Sequence, residues 1–428
     1  MRILLVGAGG VGDAIVKIAG ERSFFELMVV SDYDFERAEK SIEWVRRRHG
    51  DEVANRFLPA KIDASSAANV VELCRSHNID YLINAVEPKF VPTVFSAAFT
   101  ASVGYVDMAL SLSEPHEQDP YRTPGIKLGD AQYAVNEQWE RAGKLALIGM
   151  GVEPGLSNVF AKYAADELFS EIDEISIKDG SNLVVRNEAG EEIFAPSFSI
   201  WTTIEECLNP PILYEREKGF FTTEPFSEPE IFEFPEGIGA VECVNVEHEE
   251  IPMLPRTLNV RRVSFKYGLG SKFISVLKTL HNLGIDSKGP VRVRSAQGPV
   301  DVAPRDMVVS VLPDPASIGE RMEGKTCAGV LVTGKDKTGK DRATYLYHVA
   351  DNAETMAEYE SQCVVLQTAF NPLIALELIA EEKWRGVGVM GPEQFDAKPF
   401  LDLLSSSTGY HQRWYAQERL AASPLSLP

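Results

Sequence analysis

Cysteine is scarce in this chain. Five residues in 428, Cys74, Cys207, Cys243, Cys327 and Cys363, are scattered, odd in number and without C-x-x-C spacing. That pattern argues against a disulfide framework or a cysteine zinc site and fits reduced, buried thiols in a cytoplasmic protein. The seven histidines include no H-E-x-x-H pair, so no metal is expected. No run of 18 apolar residues occurs, and the chain enters its first strand without a charged leader and cleavage site. Positive charge is in deficit: 42 Lys and Arg stand against 63 Asp and Glu, a formal net charge of -21. Nucleic acid and anionic membrane would repel such a chain, so neither is expected as a partner. No Ser-His-Asp or Cys-His order stands out, and no covalent nucleophile is assigned. At 44% hydrophobic and 25% charged residues the composition is that of a globular protein, and its length asks for two domains.

What is present begins at the first residues. Arg2-Ile3-Leu4-Leu5-Val6 is an apolar, β-branched run of the kind that forms a buried parallel strand. It stops at Gly7-Ala8-Gly9-Gly10-Val11-Gly12, and Asp13 to Ala19 continues with helical periodicity. Strand, glycine turn and helix in that order is the setting in which G-x-G-x-x-G binds a dinucleotide. Gly7 allows the tight turn, Gly9 the approach of a pyrophosphate, Gly12 the packing of helix on strand, and Gly10 and Val11 open the helix. Asp32 follows Gly12 by twenty residues and ends the second strand, Leu27 to Ser31, where a carboxylate accepts from ribose hydroxyls. Tyr33 and Asp34 come next, not an arginine, so NAD is favoured and NADP kept as possible. Strands at Leu58–Asp63, Tyr81–Val86 and Gly104–Met108 alternate with helices, which makes a doubly wound parallel sheet of Rossmann type the expectation. Asp63 and the Ala85-Val86-Glu87 turn then fall on the carboxyl edge that faces the ligand crevice.

A loop from Ser111 to Gly129, a helix over Asp130–Ala142 and a strand over Lys144–Gly149 lead to a second glycine turn. Gly149 to Gly155, with Gly151 and Pro154 placed to meet the nicotinamide side, opens a helix over Leu156–Leu168. From Ile172 to Lys266 short alternating runs predict a mixed or antiparallel sheet. A helix over Phe273–Leu283, irregular connections to Gly319 and a hairpin over Val330–Val349 follow. Glu354 to Ala380 reads as one long apolar helix interrupted at Asn371-Pro372.

Gly151-Val152-Glu153-Pro154-Gly155-Leu156-Ser157-Asn158-Val159-Phe160 resembles the G-x-D-P-G-x-T-N-V-F pattern of carboxynorspermidine (carboxyspermidine) dehydrogenases. His248-Glu249-Glu250 with Leu254 is similar to their H-E-E-x-x-x-L segment, and Leu312 to Ser317, Gly324-Lys325-Thr326 and Tyr345-Leu346-Tyr347 fall in the same order. Nearly the whole chain thereby resembles the saccharopine dehydrogenase-like oxidoreductases, with lysine 6-dehydrogenases and saccharopine reductases the looser likenesses. The resemblance implies a Rossmann domain over residues 1–125, completed by 360–428, and an inserted α+β substrate-binding and homodimerisation domain with a mixed sheet over 126–359. It also implies hydride transfer at a carbon–nitrogen bond of an amino acid or polyamine conjugate. The chain departs from the pattern at Ser31-Asp32-Tyr33, where the relatives carry Ser-Arg-Thr, and at Glu153, where they carry Asp.

Such chemistry needs a group that gives or takes a proton at nitrogen. Three candidates are Asp107 at a strand end, Glu153 in the second glycine turn, and His248, which needs the smallest shift to titrate near neutrality. The alternative for Asp107 is a helix cap and for His248 a structural hydrogen bonder. Glu249 suits a cationic amine, and Lys178 and Arg261 are the candidates for a substrate carboxylate. A rival from another class is a non-catalytic NAD-binding regulatory or scaffold protein.

Overall fold

The computed structural model describes residues 1–419. Strand β1 (Arg2–Val6) is buried from Ile3 to Val6 because helices cover both faces of its sheet, which is why it reads as an unbroken apolar run. Beside it lie β2 (Leu27–Asp32), β3 (Phe57–Lys61), β4 (Tyr81–Asn84), β5 (Gly104–Asp107) and β6 (Leu145–Leu147). With the strand Gly388–Met390 they form a seven-stranded sheet, ordered Gly388–Met390, β6, β5, β4, β1, β2, β3, with every pairing parallel. The order reverses between β1 and β4, and the crevice at that switch point is where ligands bind in such sheets. Helices α1 (Gly10–Ala19) and α2 (Phe35–His49) cover one face, and the helix Cys363–Ala380 lies against α1.

That last helix is the one among the described residues long and apolar enough to cross a membrane, yet 83% of it is buried inside the protein. The expected break at Pro372 does not occur. Proline removes one N–H and so frees the Thr368 carbonyl. Asn371 Nδ2 donates to it at 3.3 Å, and to the Gln367 carbonyl at 2.8 Å, so the ladder is mended by the neighbouring side chain. The interruption lies earlier, where Glu360 at φ 49° separates the helix Asn352–Tyr359 from Cys363–Ala380.

The second sheet has nine strands around β7 (Phe169–Ser181). Val260–Gly268 runs parallel to β7 on one side and Lys325–Asp336 antiparallel on the other, followed by Asp341–Asp351 and Trp414–Glu418. The first sheet thus draws on β6, past residue 125, and the second on Trp414–Glu418, past residue 359. Residues 420–428 of the expected C-terminal completion lie outside the described residues.

Two further expectations change. The helix expected over 130–142 is two short ones, Asp130–Tyr133 and Asn136–Arg141. The break frees Asn136 to accept from Val389 N at 2.7 Å, tying it to the edge strand. The connections before Gly319 contain a hairpin, Val291–Ser295 with Gly298–Val302, and a helix, Pro304–Val311. The end of that helix leans over the crevice.

Candidate active site

The glycines of the first turn have different reasons. Gly7 sits at φ +101°, and a Cβ there would lie 2.6 Å from the Ala85 carbonyl oxygen. A Cβ on Gly12 would lie 1.9 Å from the Gly7 carbonyl oxygen, so helix and turn touch only because it is absent. At Gly9 nothing stands within 4 Å of a Cβ, and no side chain caps α1. The first N–H groups of α1 and its dipole therefore face open space, which fits the pyrophosphate of a dinucleotide. Gly10, Val11, Ala85, Val86 and Glu87 line a cavity of about 480 Å³ there. Asp32 is fixed at the loop's shoulder: Oδ2 accepts from Ala8 N at 2.7 Å and Oδ1 from Asp34 N at 2.9 Å. Tyr33 is 73% exposed, and Asp63 turns to Ser65, accepting from its N at 2.9 Å and its Oγ at 2.6 Å. A second cavity, of about 460 Å³, opens beside the same loop and is lined by Arg37, Lys40 and Arg47. Inspection of the residues directly after Asp32 overlooks these cations, because the turn of α2 brings Arg37 back towards the loop.

The second glycine turn supplies the opposite wall. A Cβ on Gly155, at φ +136°, would lie 1.9 Å from the Gly151 carbonyl oxygen, so the turn closes on itself. Gly151 packs against Met108, while Glu153 and Pro154 face the cavity. The remaining wall comes from the helix Ile200–Leu208, the Glu249 segment and the 309–315 stretch. Five carboxyl groups line this space, Glu87, Glu153, Glu206, Glu249 and Asp314, and no Lys, Arg or His is among its described lining residues. Glu87 is paired with Lys89 at 2.5 Å. Glu249 is only 5% exposed, and its Oε2 has no hydrogen-bond partner; the buried Glu153 Oε1 has none either.

His248 stands behind this wall. Its Nδ1 is 2.5 Å from Glu250 Oε2 and 3.4 Å from Glu249 Oε2, and its ring stacks on Phe265 at 3.7 Å. Burial alone would favour the neutral ring, but Glu250, Glu249 and Glu206 outweigh it and push the pKa to about 10. The ring is therefore an imidazolium at neutral pH, in contrast to the expected titration near neutrality. It does not line the cavity; it holds the carboxylates in place. Glu206, His248 and Glu249 present ligand atoms within 4.8 Å of one another.

Asp107 is 1% exposed and lies outside the cavity lining. Oδ1 accepts from Gly149 N at 2.7 Å and Oδ2 from Gln132 Nε2 at 2.8 Å, so both oxygens tie the end of β5 to its neighbours. Burial lifts its pKa to about 7, but no free face meets a ligand. Lys178 points to the other side of the second sheet, where it is 2% exposed and paired with Glu230. Arg261 is paired with Asp173 at 2.5 Å on the surface. Neither lines the cavity. Reading the sequence misses Glu206, whose one signal is the Glu205-Glu206 pair in an otherwise apolar helix. Glu205 is satisfied by Arg305 and by Lys288 at 2.7 Å, which leaves Glu206 to face the cavity.

A parallel sheet with an open helix N-terminus, facing an acid-walled cavity, defines a nicotinamide-dinucleotide-dependent oxidoreductase. Residues 3–147 match the saccharopine dehydrogenase NADP binding domain and residues 151–410 the saccharopine dehydrogenase C-terminal domain. The chain belongs to the saccharopine dehydrogenase family. It is 28% identical to the carboxynorspermidine synthase of Vibrio alginolyticus, over 99% of each chain. It is 26% identical to the carboxyaminopropylagmatine dehydrogenase of a Synechocystis species, over 94% of this chain and 95% of the other. Apo saccharopine dehydrogenase (L-Glu forming) from Saccharomyces cerevisiae shares the fold with a TM-score of 0.66 at 12% identity, covering 98% of this chain and 100% of that one.

Proposed function

We propose that the protein reduces the carbon–nitrogen double bond of an imine derived from a cationic amine, giving a carboxylated secondary amine of the carboxynorspermidine kind. The observation that carries this reading is the cavity wall: five carboxyl groups and no Lys, Arg or His among its described lining residues. At the effective dielectric of a partly buried site, an ammonium 4 Å from a carboxylate gains about 4 kcal/mol. A substrate of several carboxylates, as in saccharopine chemistry, meets the same wall as repulsion. The names of the Vibrio and Synechocystis relatives agree with an amine-rich substrate. A lysine 6-dehydrogenase reading is second, since lysine also brings an ammonium group to the acids.

When bound, the nicotinamide supplies or accepts the hydride. Glu153 holds the proton that goes to nitrogen, because burial and the neighbouring carboxylates keep its pKa well above the ordinary carboxylate range. Glu206 and Glu249 hold the distal ammonium of the substrate and so orient the carbon–nitrogen bond. The acting form in this reading is a cytoplasmic homodimer with a small-molecule amine substrate.

The test is a screen of NADH oxidation with pairs of amines and amino-acid aldehydes. Turnover is expected with diamines and is expected to vanish with a monoamine of equal length. Equal turnover with a dicarboxylic amino acid as the amine would overturn the reading. NADH is the favoured donor in this reading because Asp32 ends the second strand, where a carboxylate accepts from ribose hydroxyls and repels a 2′-phosphate. Asp32→Ala should weaken NADH binding by about tenfold, about 1.4 kcal/mol, and narrow its advantage over NADPH in a fluorescence titration. The cations Arg37, Lys40 and Arg47 beside the loop are the observation that keeps NADPH a second reading, and equal affinities in the unaltered protein would select it.

A further inference from the structure

We infer that Arg305 is a positioning residue of the amine site: through Glu205 it ties the helix Pro304–Val311, which covers the cavity, to the helix Ile200–Leu208, which carries Glu206. This rests on the reading of Glu206 as a holder of the substrate ammonium. Both helices build the cavity, with Ile200, Thr202 and Glu206 from one and Val309, continued by Leu312, from the other. Arg305 and Val309 stand one turn apart and share a face of their helix. Glu205 and Glu206 are neighbours about 100° apart around theirs, so whatever fixes Glu205 also fixes where Glu206 points.

The tie is a buried ion pair. Arg305 is 5% exposed and Glu205 3%. Arg305 Nη1 donates to Glu205 Oε2, and its Nε donates to the Asp286 carbonyl at 2.7 Å. The guanidinium also lies 5.1 Å from the ring of Trp201, on the same helix as Glu205. Glu205 Oε1 accepts from Lys288 Nζ at 2.7 Å and from Asn209 Nδ2 at 3.3 Å. Burial acts against a charge on Glu205, but Lys288 and Arg305 outweigh it and hold the carboxyl below its ordinary range. A planar guanidinium can hold a carboxylate, a carbonyl and a ring face at once, which an ammonium group cannot.

The covering helix depends on this pair. Arg305 is the one buried residue among its described residues, while Met307 and Val311 are 53% and 74% exposed. A helix with so little apolar burial is placed by its polar anchor, here with Arg305 N donating to the Ser287 carbonyl at 3.1 Å as well. The helix Ile200–Leu208 in turn reaches the other acid of the site. Glu247 N donates to the Glu206 carbonyl at 3.0 Å, and Asn209 Nδ2 donates to Glu247 Oε2 at 2.8 Å, two residues before Glu249. Arg305 touches no part of the cavity itself and acts through Glu205.

The experiment compares the full chain with Arg305→Leu, Arg305→Lys, Glu206→Gln and the combination of Arg305→Leu with Glu206→Gln. Steady-state kinetics with a diamine and an amino-acid aldehyde are measured beside hydrogen exchange of the free protein. Arg305→Leu should raise KM for the diamine by about tenfold with a smaller change in kcat, and Arg305→Lys should recover part of the loss. Added to Glu206→Gln, the same replacement should cost less than about threefold more, because residues that act through one contact are not additive. Exchange should quicken in residues 200–209 and 245–249 and stay unchanged in β1 and β2, which separates lost position from lost stability. An unchanged KM in Arg305→Leu, effects that simply multiply in the combination, or exchange that quickens equally everywhere would overturn the positioning role. Unchanged KM in Glu206→Gln would instead overturn Glu206 as the ammonium holder, while exchange would still report whether Arg305 fixes its helix. Where Arg305→Leu does not fold, Arg305→Lys carries the same comparisons.

Discussion

Replacing Glu206 and Glu249 together by Gln is expected to lower kcat/KM for a diamine-derived imine by about 10²- to 10³-fold, most of it through KM. Each carboxylate offers an ammonium group a charge-assisted hydrogen bond of about 1.5–3 kcal/mol in a site shielded from water. Gln keeps the shape and can still accept from Leu110 N, which reaches Glu249 at 3.4 Å. Glu249 Oε2 makes no hydrogen bond, and what it loses is its 3.4 Å ion pair with His248 Nδ1. Both acids also counter the charge of the buried His248 ring, so the melting temperature should fall as well. A merely structural role for these residues predicts the lower melting temperature with KM unchanged. Steady-state kinetics and a thermal melt of one preparation distinguish the two.

The second large effect is on stability against pH. Burial lifts Asp107, Asp179, Glu247 and Glu393 to about 7 and Glu206 to about 8. A carboxyl group with a raised folded-state pKa binds more protons folded than unfolded. Its contribution is complete below the unfolded value near 4 and is lost as pH rises through the folded value. His248, raised to about 10, acts in the same sense over a later window, from about 6.5 to 10. Surface-paired carboxylates such as Glu192, held low by Lys272, oppose this only at acid pH. The melting temperature should therefore be highest near about pH 5 and fall towards about pH 9. A diamine added at alkaline pH should restore part of it, since a ligand that binds only the folded state stabilises by mass action. A melting temperature flat across that range, or unmoved by the diamine, would show that the acids are not clustered as described.

The first sheet was legible because its signals are local. An apolar run, a glycine turn whose Cβ atoms would collide with backbone, and an aspartate twenty residues on each state their purpose within a few residues. Pro372 carries the same local signature of a break, yet the helix runs through it, because the mending donor is a side chain whose use depends on helix geometry. The site was half legible. Glu153, Pro154 and Glu249 line the cavity. Asp107 and His248 do not, and Lys178 faces the other side of its sheet, paired with Glu230.

Residue type and spacing were enough to specify a dinucleotide-binding sheet, a second mixed sheet and a carboxyl-rich segment near residue 249. They say which chemical groups the chain owns. Which of those groups meet was decided by the packing of the second sheet against the carboxyl edge of the first. That packing carries Glu206 and Glu249 to the cavity that Glu153 lines and turns His248 from a neutral titrating ring into a fixed cation. A pKa, a pairing and a cavity depend on distances between segments far apart in the chain, and such distances arise only when the two sheets close on each other.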